Sequence, residues 1–428
     1  MWSLVANPSG GHPRRPTVDA VTESDEARAA VAALLTEAGQ DNPYPCYARL
    51  RAAAPVYYSE AFGNHLVSRY DDCTSVLKSP DIGKADAKWA DKAIPNWRER
   101  PTSRYLFASM LRLNPPDHTR VRGLVNHAFS ERQVATMRAA VESIVDRVLD
   151  DLADAAGDGS TVDFQEFVAY PMTSAVMGSL VGLTEADYER FRDWVGRIAR
   201  ILDPNMTPEE VQDADVATVE IQDHFARLIK ERTEEPRNDI VSHLIGVRAE
   251  DGDRLTVDEM QSTLALLFLA GLDTSALTIG TGVVTLLDHP GQWAALRADP
   301  DLETVTDEII RWDTAAQVAH RRVLRDTEIG GVALPEGSTI SVLLGSANHD
   351  PEWFEDPDTF DIARRRPMHL GFGTGGHFCI GSAVARLEGS VFFPKLARRF
   401  PKLALAERPV RRNTIAIRGF HQIPVSIT

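Results

Sequence analysis

The chain has 428 residues, a quarter of them charged, and a formal net charge of −16 at pH 7. This acidity argues against nucleic acid or an anionic membrane surface as a partner, and three cysteines are too few, and odd in number, for a secreted disulfide framework. No apolar run reaches the roughly 20 residues of a membrane span, and the N-terminal run is too short for a signal peptide. We therefore expect a soluble, cytoplasmic protein, and we expect a monomer.

Helical patterns dominate the first two thirds of the chain. Residues 1–25, rich in proline, glycine and charge, are expected to form a flexible N-terminal arm, and residues 26–428 a single domain. Apolar periodicity predicts helices over residues 26–39, 42–54, 132–155, 164–181, 185–202 and 208–232. A hairpin is predicted for residues 56–69, and the poorly periodic segment 80–111 is expected to be a long loop.

The clearest helix is predicted to begin at Thr256 and to end near residue 287, before His289-Pro290. It opens with the capping box Thr256-Val257-Asp258-Glu259 and is roughly 45 Å long at the helical rise per residue. Its middle, residues 264–270, is apolar on every side, which is typical of a helix buried all round.

Small and polar residues interrupt this buried run at Gly271, Asp273, Thr274 and Ser275. A glycine costs about 1 kcal/mol in a helix interior, and an unpaired buried carboxylate costs several. Something must offset both. A polar groove between helices, filled with ordered water, is one explanation, and a functional site is the other.

The last third of the chain is predicted to mix helices with strands. Helices are predicted over residues 302–312 and 382–399, and strands over 327–334, 338–344 and 414–428. Pro394 lies inside the second of these helices and should kink or interrupt it. The fold class is therefore mainly α with a smaller β region (α+β).

A glycine-rich loop, residues 369–381, carries Cys379 just before that last helix. Its four glycines allow tight turns and close approach to a bulky partner. The helix begins near Ser382 and directs its positive end at the sulfur, which should lower the pKa of the thiol. The thiolate so favoured is the form that binds metal.

Other interpretations of this loop are open to the residues. Gly371, Gly373 and Gly376 satisfy G-x-G-x-x-G, but the buried strand before it and the acidic residue after it, which a dinucleotide site needs, are missing. A lone cysteine is also often a small buried thiol in a tight turn. Cys379 taken alone leaves this choice open.

Taken in order from about Asp41 to the C-terminus, the segments resemble a cytochrome P450. Four motifs carry the resemblance: Ala270-Gly271-Leu272-Asp273-Thr274, Glu308-x-x-Arg311, Phe360-Asp361-x-x-Arg364 and Phe372-Gly373-x-Gly375-x-His377-x-Cys379-x-Gly381. The last fits the family's haem-binding signature at every fixed position. The motif E-x-x-R alone carries nothing, because Glu189/Arg192 and Glu234/Arg237 satisfy it too, so the order and spacing of the four decide.

The resemblance implies a cytochrome P450 fold with heme b (haem) between the long central helix and the cysteine loop. Cys379 would be the axial thiolate ligand of the iron, with Phe372 and Gly373 packed at the sulfur to tune its electron donation. Four residues would supply cations to the haem propionates: His118, Arg122, Arg321 and His377. Arg322 is an alternative to its neighbour Arg321.

On the opposite face, the resemblance implies a site for dioxygen. The Thr274 hydroxyl would bond the Ala270 carbonyl and open a groove, with Gly271 removing side-chain bulk. Asp273 would be the acid end of a proton relay. This acid–alcohol pair implies a monooxygenase that uses dioxygen, whereas relatives that use hydrogen peroxide are expected to lack it.

The resemblance also implies a structural role for some residues and external electron donors. Glu308, Arg311 and Arg364 would form a buried carboxylate–guanidinium network. Electrons would come from a ferredoxin and a ferredoxin reductase docking on the cysteine side. A basic patch is proposed for this docking, with ordinary solvated charges as the alternative: Arg120, Arg364, Arg365, Arg366, Arg398 and Arg399.

The implied function is a haem-thiolate monooxygenase that inserts one oxygen atom into a medium-sized apolar or aromatic small molecule, in natural-product biosynthesis. An enzyme of the same type that catalyses ring closure, phenol coupling or peroxide-driven oxidation is the alternative. A haem sensor or electron carrier without catalysis is the third class, and it would have no use for the Asp273-Thr274 relay.

Overall fold

Helices form the core of the protein, and short strands form small sheets beside it. The computed structural model describes residues 25–200, 206–247, 252–299, 302–365 and 368–427. The predicted N-terminal arm, residues 1–25, therefore lies outside the described residues except for Asp25. The mainly α fold with a smaller β region is confirmed.

The helices within these ranges are α1 (Asp25–Leu34), α2 (Glu37–Asp41), α3 (Tyr44–Ala53), α4 (Tyr70–Lys78), α5 (Ala87–Ala93), α6 (Pro101–Ala108), α7 (Asp117–Asn126), α8 (Glu131–Ala135), α9 (Arg138–Ala156), α10 (Tyr170–Val181), α11 (Glu185–Ala199), α12 (Pro208–Glu234), α13 (Ile240–Gly246), α14 (Val257–Asp288), α15 (Pro290–Ala298), α16 (Val305–Trp312), α17 (Leu344–Ala347) and α18 (Ser382–Arg399). A π-helical turn, Gln165–Ala169, leads into α10.

The strands within these ranges are β1 (Val56–Ser59), β2 (Asn64–Val67), β3 (Ile82–Gly83), β4 (Val162–Asp163), β5 (Val318–Val323), β6 (Thr327–Ile329), β7 (Val332–Leu334), β8 (Thr339–Leu343), β9 (Ala404–Leu405), β10 (Val410–Arg411), β11 (Phe420–Gln422) and β12 (Pro424–Ser426). The largest sheet has the order β1-β2-β8-β5-β3. Its β2 and β8 are parallel, with His65 opposite Ile340, and its other pairs are antiparallel.

Helix α14 is the central element of the core. The predicted capping box is present: the Thr256 hydroxyl accepts from the Glu259 N–H at 3.2 Å, and the Glu259 carboxylate accepts from the Thr256 N–H at 2.8 Å. By length and composition this helix could cross a membrane, but 61% of its apolar window is buried inside the protein. Helices α10, α12 and α16 pack around it, so it is the core helix of the bundle.

The prediction of one long loop over residues 80–111 is wrong, because this segment holds β3, α5 and α6. The Asp86 carboxylate caps α5 by accepting from the Trp89 N–H at 3.0 Å. The rings of Trp97 and Phe107 pack edge to face with centroids 4.9 Å apart. These elements are shorter than the window in which apolar periodicity is visible, so caps and aromatic contacts hold them instead.

Other boundaries also differ from the sequence prediction. The helix predicted over residues 26–39 is broken at Thr36, whose hydroxyl caps α2 by accepting from the Gly39 N–H at 3.1 Å. Helices α13 and α15 and strand β5 were not predicted. Strand β5 was missed because Val318–Val323 lacks the alternation of apolar and polar residues that marks a strand. Arg321 therefore lies inside a strand, where none was predicted.

Helix α18 runs past Pro394 without a break, so the predicted interruption does not occur. Pro394 and its neighbour Phe393 are buried, and α18 packs against α9, α15 and α16. This packing on several sides stabilises the helix against the loss of one backbone hydrogen bond.

A buried ion network joins α16 to the segment before the cysteine loop. The guanidinium of Arg311 donates to both carboxylate oxygens of Glu308, at 2.7 and 2.8 Å, and both side chains are fully buried. Nε of Arg364 approaches the same carboxylate at 3.3 Å. The predicted network is confirmed, and the two fully buried charges, those of Glu308 and Arg311, have a partner of opposite sign.

We predict that Glu308→Ala destabilises the fold by roughly 3–5 kcal/mol, because it leaves the buried Arg311 without its partner. By the family resemblance, this variant should also retain little haem. The measurements are the free energy of unfolding in urea and the haem content of the purified protein. Glu185→Ala is the matched control, since Glu185 pairs with Arg147 with 69% of its side chain exposed, and it should cost less than about 1 kcal/mol. Equal stability of the two variants would contradict the role of the network.

Candidate active site

A hydrogen bond between its ends closes the cysteine loop. The backbone N–H of Cys379 donates to the Phe372 carbonyl at 2.8 Å, and the Phe372 ring lies 4.8 Å from the guanidinium carbon of Arg386. Gly375 has φ +73°, and a Cβ there would lie 2.4 Å from the carbonyl oxygen of Leu77. The missing side chain at Gly375 therefore allows close approach of the backbone at Leu77, and not of a bulky partner.

The Cys379 thiol keeps exposed surface at the end of this loop. Protein atoms nevertheless surround it, and this desolvation raises its pKa, opposed by the Gly381 and Ser382 N–H groups and the Arg122 guanidinium. The prediction that the helix start lowers the pKa of the thiol is therefore wrong for the protein alone. The N–H groups act in the predicted direction, but burial outweighs them. A bound metal ion would deprotonate the thiol.

The four basic residues predicted to bind propionates lie together beside this loop. The rings of His118 and His377 stack with centroids 3.9 Å apart, and Nη2 of Arg122 donates to the Phe378 carbonyl at 2.7 Å. The pKa of His118 is lowered to about 4, first by burial and then by the charges of Arg122, Lys84 and Arg321. The structure thus brings all four into one positive environment.

Two further cations, Lys84 and Arg112, join these residues and were missed from the sequence. Burial lowers the pKa of Arg112 to about 10. Burial also lowers the pKa of Lys84 well below its ordinary value, with added repulsion from Arg321. Lys84 follows β3 and Arg112 follows α6, neither within a motif, so only the fold brings them to this place.

These six side chains form what we call the cation cluster: Lys84, Arg112, His118, Arg122, Arg321 and His377. Among the described residues, no carboxylate acts on Lys84, Arg112 or Arg321, and Nε2 of His118 is buried without a hydrogen-bond partner. Buried charges without partners are unfavourable by several kcal/mol. The cluster therefore fits a ligand that carries carboxylates.

The centre of α14 has an open face although most of this helix is buried. Ala270 keeps exposed surface, and the Thr274 hydroxyl donates to the Ala270 carbonyl at 2.6 Å, as predicted. The predicted purpose of Gly271 is wrong. A Cβ at Gly271 would lie 2.8 Å from Sδ of Met177. The glycine therefore allows α10 to pack closely against α14, and it does not open a groove.

Asp273 is held by Arg412 and Tyr170, neither of which was a candidate from the sequence. The Arg412 guanidinium donates to both carboxylate oxygens of Asp273 at 2.8 Å. The Tyr170 hydroxyl donates to Oδ1 of the same carboxylate at 2.9 Å. Asp273 follows Leu272 on α14 beside Thr274, but residues of α10 and of the segment after β10 set the position of its carboxylate.

Helix α18 connects the cysteine loop to this part of α14. It begins just after Cys379 and packs against α14, where its buried Glu388 lies beside Ser275. Ser275 directly follows Thr274. The exposed thiol and the Thr274 hydroxyl therefore lie on two elements in contact with each other. Glu388 was also missed from the sequence, because nothing marks an acidic residue in a helix as buried.

Half of the arginines in the predicted basic patch form ion pairs in the structure. These are Arg120 with Asp253 and Glu259, Arg364 with Glu308, and Arg399 with Asp150. Arg366 lies outside the described residues. The role of the patch in docking stays a prediction.

Residues 65–420 match the family model for cytochrome P450. The chain belongs to the cytochrome P450 family. A P450 carries haem bound by a thiolate, and the residues of this site fit that cofactor. The exposed Cys379 thiol offers the sulfur, and the cation cluster offers partners for the two propionate carboxylates. The alternative interpretation of Cys379, a small buried thiol in a tight turn, does not fit its exposed surface.

Relatives of this P450 are bacterial enzymes. The 6-deoxyerythronolide B hydroxylase of Saccharopolyspora erythraea is 35% identical over 395 residues, 90% of this chain and 96% of that protein. The cytochrome P450 monooxygenase PikC of Streptomyces venezuelae is 36% identical over 398 residues, 90% of this chain and 92% of that protein. The solved structure of the bacillaene polyketide synthase cytochrome P450 PksS from Bacillus subtilis 168 has a TM-score of 0.82 at 29% identity, covering 92% of this chain and 99% of that one.

These comparisons establish the class of enzyme. This P450 is an oxidoreductase of the monooxygenase type, and P450 enzymes act on small molecules with dioxygen and typically with redox partners. Several of its relatives act in the biosynthesis of polyketides or other natural products.

We predict that Glu388 makes the stability of this P450 fall as the pH rises. Burial raises the pKa of Glu388 from 4.5 to about 7, so the folded protein binds this proton more tightly than the unfolded chain does. The stabilisation is fully present below pH 4.5 and is lost as the pH rises through about 7. Relative to Glu388→Gln, the wild type should lose up to about 3 kcal/mol over this window.

Unfolding free energies of the wild type and Glu388→Gln between pH 4.5 and 8 measure this difference. Glu407→Gln is the control, because this carboxylate is exposed and its replacement should leave the pH dependence unchanged. Parallel curves for the wild type and Glu388→Gln would show that Glu388 titrates as it does in water.

Proposed function

We propose that this P450 inserts one oxygen atom from dioxygen into a medium-sized, apolar or aromatic small molecule of natural-product biosynthesis. The observation that carries the proposal is the hydrogen bond from Thr274 to the Ala270 carbonyl, beside Asp273 and on the helix that packs against α18, which begins just after Cys379. A hydroxyl that bonds the carbonyl one turn earlier loosens the local helix. This leaves room and a proton donor at one place.

Cys379 is the proposed axial ligand. Haem held by a cysteine thiolate activates dioxygen, and electron donation from the sulfur favours cleavage of the O–O bond. The N–H groups of Gly381 and Ser382 point at the sulfur and stabilise its negative charge. Phe372, held by the Cys379 N–H and by Arg386, limits the access of water to this side.

The cation cluster is the proposed binding site of the haem propionates. Arg321 lies in β5, and Arg112 follows α6. Separate elements therefore contribute side chains to the same cluster. Nε2 of His118 has no other partner. Two carboxylates bound there would relieve the repulsion among the buried cations, which couples cofactor binding to the packing of these elements.

Asp273 and Thr274 are the proposed catalytic residues. The carboxylate of Asp273 would take protons from water, and the hydroxyl of Thr274 would present them on the face of α14 that is open at Ala270. General acid–base groups of this kind contribute about 10²–10⁴-fold to a rate. The proposed proton supply and the proposed electron donation from the Cys379 sulfur act on opposite sides of the haem. Different residues would therefore tune the two.

The relatives support a polyketide-type substrate. One is named for the hydroxylation of 6-deoxyerythronolide B, and another belongs to the bacillaene polyketide synthase. In this chain, Ile417 forms a β-bridge with Ala316, which brings the C-terminal loop to the start of β5. We propose that both segments line the substrate pocket, and their apolar residues suit such a molecule.

The proposed electron donors are a ferredoxin and its reductase, in the cytoplasm, with this P450 acting as a monomer. Soluble bacterial relatives and the acidic sequence support this. Since Arg120, Arg364 and Arg399 are already paired with acids, docking would rely less on a broad positive surface than the sequence suggests. The rate of reduction should therefore show a modest dependence on ionic strength.

The thiolate assignment is tested by the absorption spectrum of the reduced protein with carbon monoxide. We expect the band of thiolate-ligated haem in the wild type, because Cys379 is the sulfur exposed at the site. Cys73→Ser is the control, since Cys73 is buried and donates to the Val67 carbonyl, and its spectrum should match the wild type. A spectrum of histidine ligation in the wild type would overturn the proposal.

We predict that Thr274→Ala uncouples the reaction. Without the hydroxyl, reductant is still consumed, but peroxide is released and product falls by roughly 10²-fold at most. Reductant, peroxide and product are measured in the same assay. Thr278→Ala is the matched control, because Thr278 donates to the Thr274 carbonyl at 2.8 Å, the same bond one turn later. Unchanged coupling in Thr274→Ala would favour ring closure, phenol coupling or peroxide-driven oxidation.

A further inference from the structure

We propose that Arg112 binds a carboxylate of the substrate, so that the molecule oxidised by this P450 is an organic acid with an apolar or aromatic body. This inference rests on the proposed function, because it adds a charged group to the proposed substrate. It also gives a role to a residue that lies outside every motif of the sequence.

Arg112 differs from the other buried arginines in the described part of the chain. These buried arginines are Arg51, Arg112, Arg232, Arg311, Arg321 and Arg418. Four of them each donate to several acceptor oxygens of the protein, and Arg321 donates to the His320 carbonyl at 2.9 Å. Arg112 is only 6% exposed, and its Nε is buried without a partner among the described residues. The protein therefore leaves the partner of this guanidinium to a ligand.

The guanidinium of Arg112 lies against an aromatic surface. Its central carbon is 5.6 Å from the centroid of the Phe107 ring. Phe107 belongs to a small apolar cluster with Trp97, against which Trp89 and Ile94 pack. A ring below a buried cation offsets only part of the hydration that the cation has lost. A ligand that joins an anionic group to an apolar body would fit both the charge and the aromatic surface.

The positive charges of the cation cluster outnumber the two propionates of a haem. Its arginines are Arg112, Arg122 and Arg321, and Lys84 is the other strong base. Burial, followed by the charges of Arg321 and Arg112, lowers the pKa of Lys84 well below its ordinary value. Even if Lys84 loses its proton, three guanidinium groups face two carboxylates. One buried cation is therefore left for a third anion.

Arg112 acts on one end of the cluster. After burial, the charges that lower the pKa of His118 are those of Arg122, Lys84 and Arg321. The charge of Arg112 acts instead on Lys84 and on His320, and the pKa of His320 is lowered to about 4 by burial, then by Lys84 and Arg112.

The chain connects this end of the cluster to the proposed catalytic helix. Arg112 follows α6, and α6 packs against both α12 and α14. A carboxylate bound by Arg112 would therefore anchor a substrate on the side of the cluster that faces these helices. The cations beside His118 would remain for the propionates.

Two alternatives make different predictions. If Arg112 binds a haem propionate, its replacement should lower the haem content. If Arg112 binds any small anion from solution, acetate should bind as tightly as a larger acid, because the organic body would add nothing. A substrate carboxylate requires both the charge and the body.

The experiment titrates the haem-loaded protein with matched pairs of probes, each an acid and its primary amide. The acids are naphthylacetic acid, biphenylacetic acid and decanoic acid, and sodium acetate is titrated separately. Dissociation constants are measured by calorimetry for the wild type, Arg112→Met and Arg112→Lys. Haem content and the midpoint of unfolding in urea, without any acid, are measured on the same samples. Arg104→Gln is the control, because Arg104 lies exposed on α6 and donates to the Arg98 carbonyl at 3.2 Å.

We expect the wild type to bind an acid at least about tenfold more tightly than its amide, because hydrogen bonds between a guanidinium and a carboxylate are charge-assisted. Arg112→Met should remove this preference, Arg112→Lys should keep part of it, and Arg104→Gln should match the wild type. Arg112→Met should also unfold at a higher urea concentration, because a buried charge without a partner is removed. Its haem content should stay unchanged.

Several results would overturn this inference. They are the absence of acid binding, equal affinity for acid and amide in every pair, and a preference that survives in Arg112→Met. Acetate binding as tight as that of the larger acids, loss of haem in Arg112→Met, or a lower urea midpoint in this variant would overturn it as well. The proposed function fails separately, if the reduced wild type with carbon monoxide shows the spectrum of histidine ligation.

Discussion

Removing charge from water is the constraint on which this protein is built. A helical core excludes solvent, yet ionisable groups lie within it or at its edge, and each is accommodated differently. Glu308 is paired with two arginines, Asp273 is held by an arginine and a tyrosine, and Glu388 retains its proton near neutrality. The cation cluster differs, because no carboxylate in the described part of the chain acts on its Lys84, Arg112 or Arg321.

These arrangements divide the work of the enzyme. The Glu308 network fixes α16 against the segment that leads to the cysteine loop, and Glu388 fixes α18 against α14. The cysteine loop and the centre of α14, the two proposed faces of the haem site, are therefore set by buried contacts. Asp273 differs, because its partners come from the loop after β10 and from the start of α10. The contact between Arg412 and Asp273 is only partly buried, with 27% and 25% of the two side chains exposed.

The sequence predicted the parts of the site that depend on local patterns. The capping box at Thr256, the bond between Thr274 and Ala270, and the pairing of Glu308 with Arg311 all follow from short spacings on a helix. Lys84, Arg112 and Arg412 escaped prediction because their positions depend on contacts between elements far apart in sequence. Gly271 and Gly375 were misjudged for a related reason. A glycine indicates close approach, but only the fold shows what approaches.

The parallel pairing of β2 with β8 has a consequence for synthesis of the chain. His65 pairs opposite Ile340, so a ribosome working at about 5–20 residues per second needs roughly 15–55 s to supply the partner of β2. During that time the first hairpin carries an unpaired edge on which other chains can form strands. Cys379 emerges later still. Most of the helices are therefore made before Cys379, the proposed iron ligand, exists.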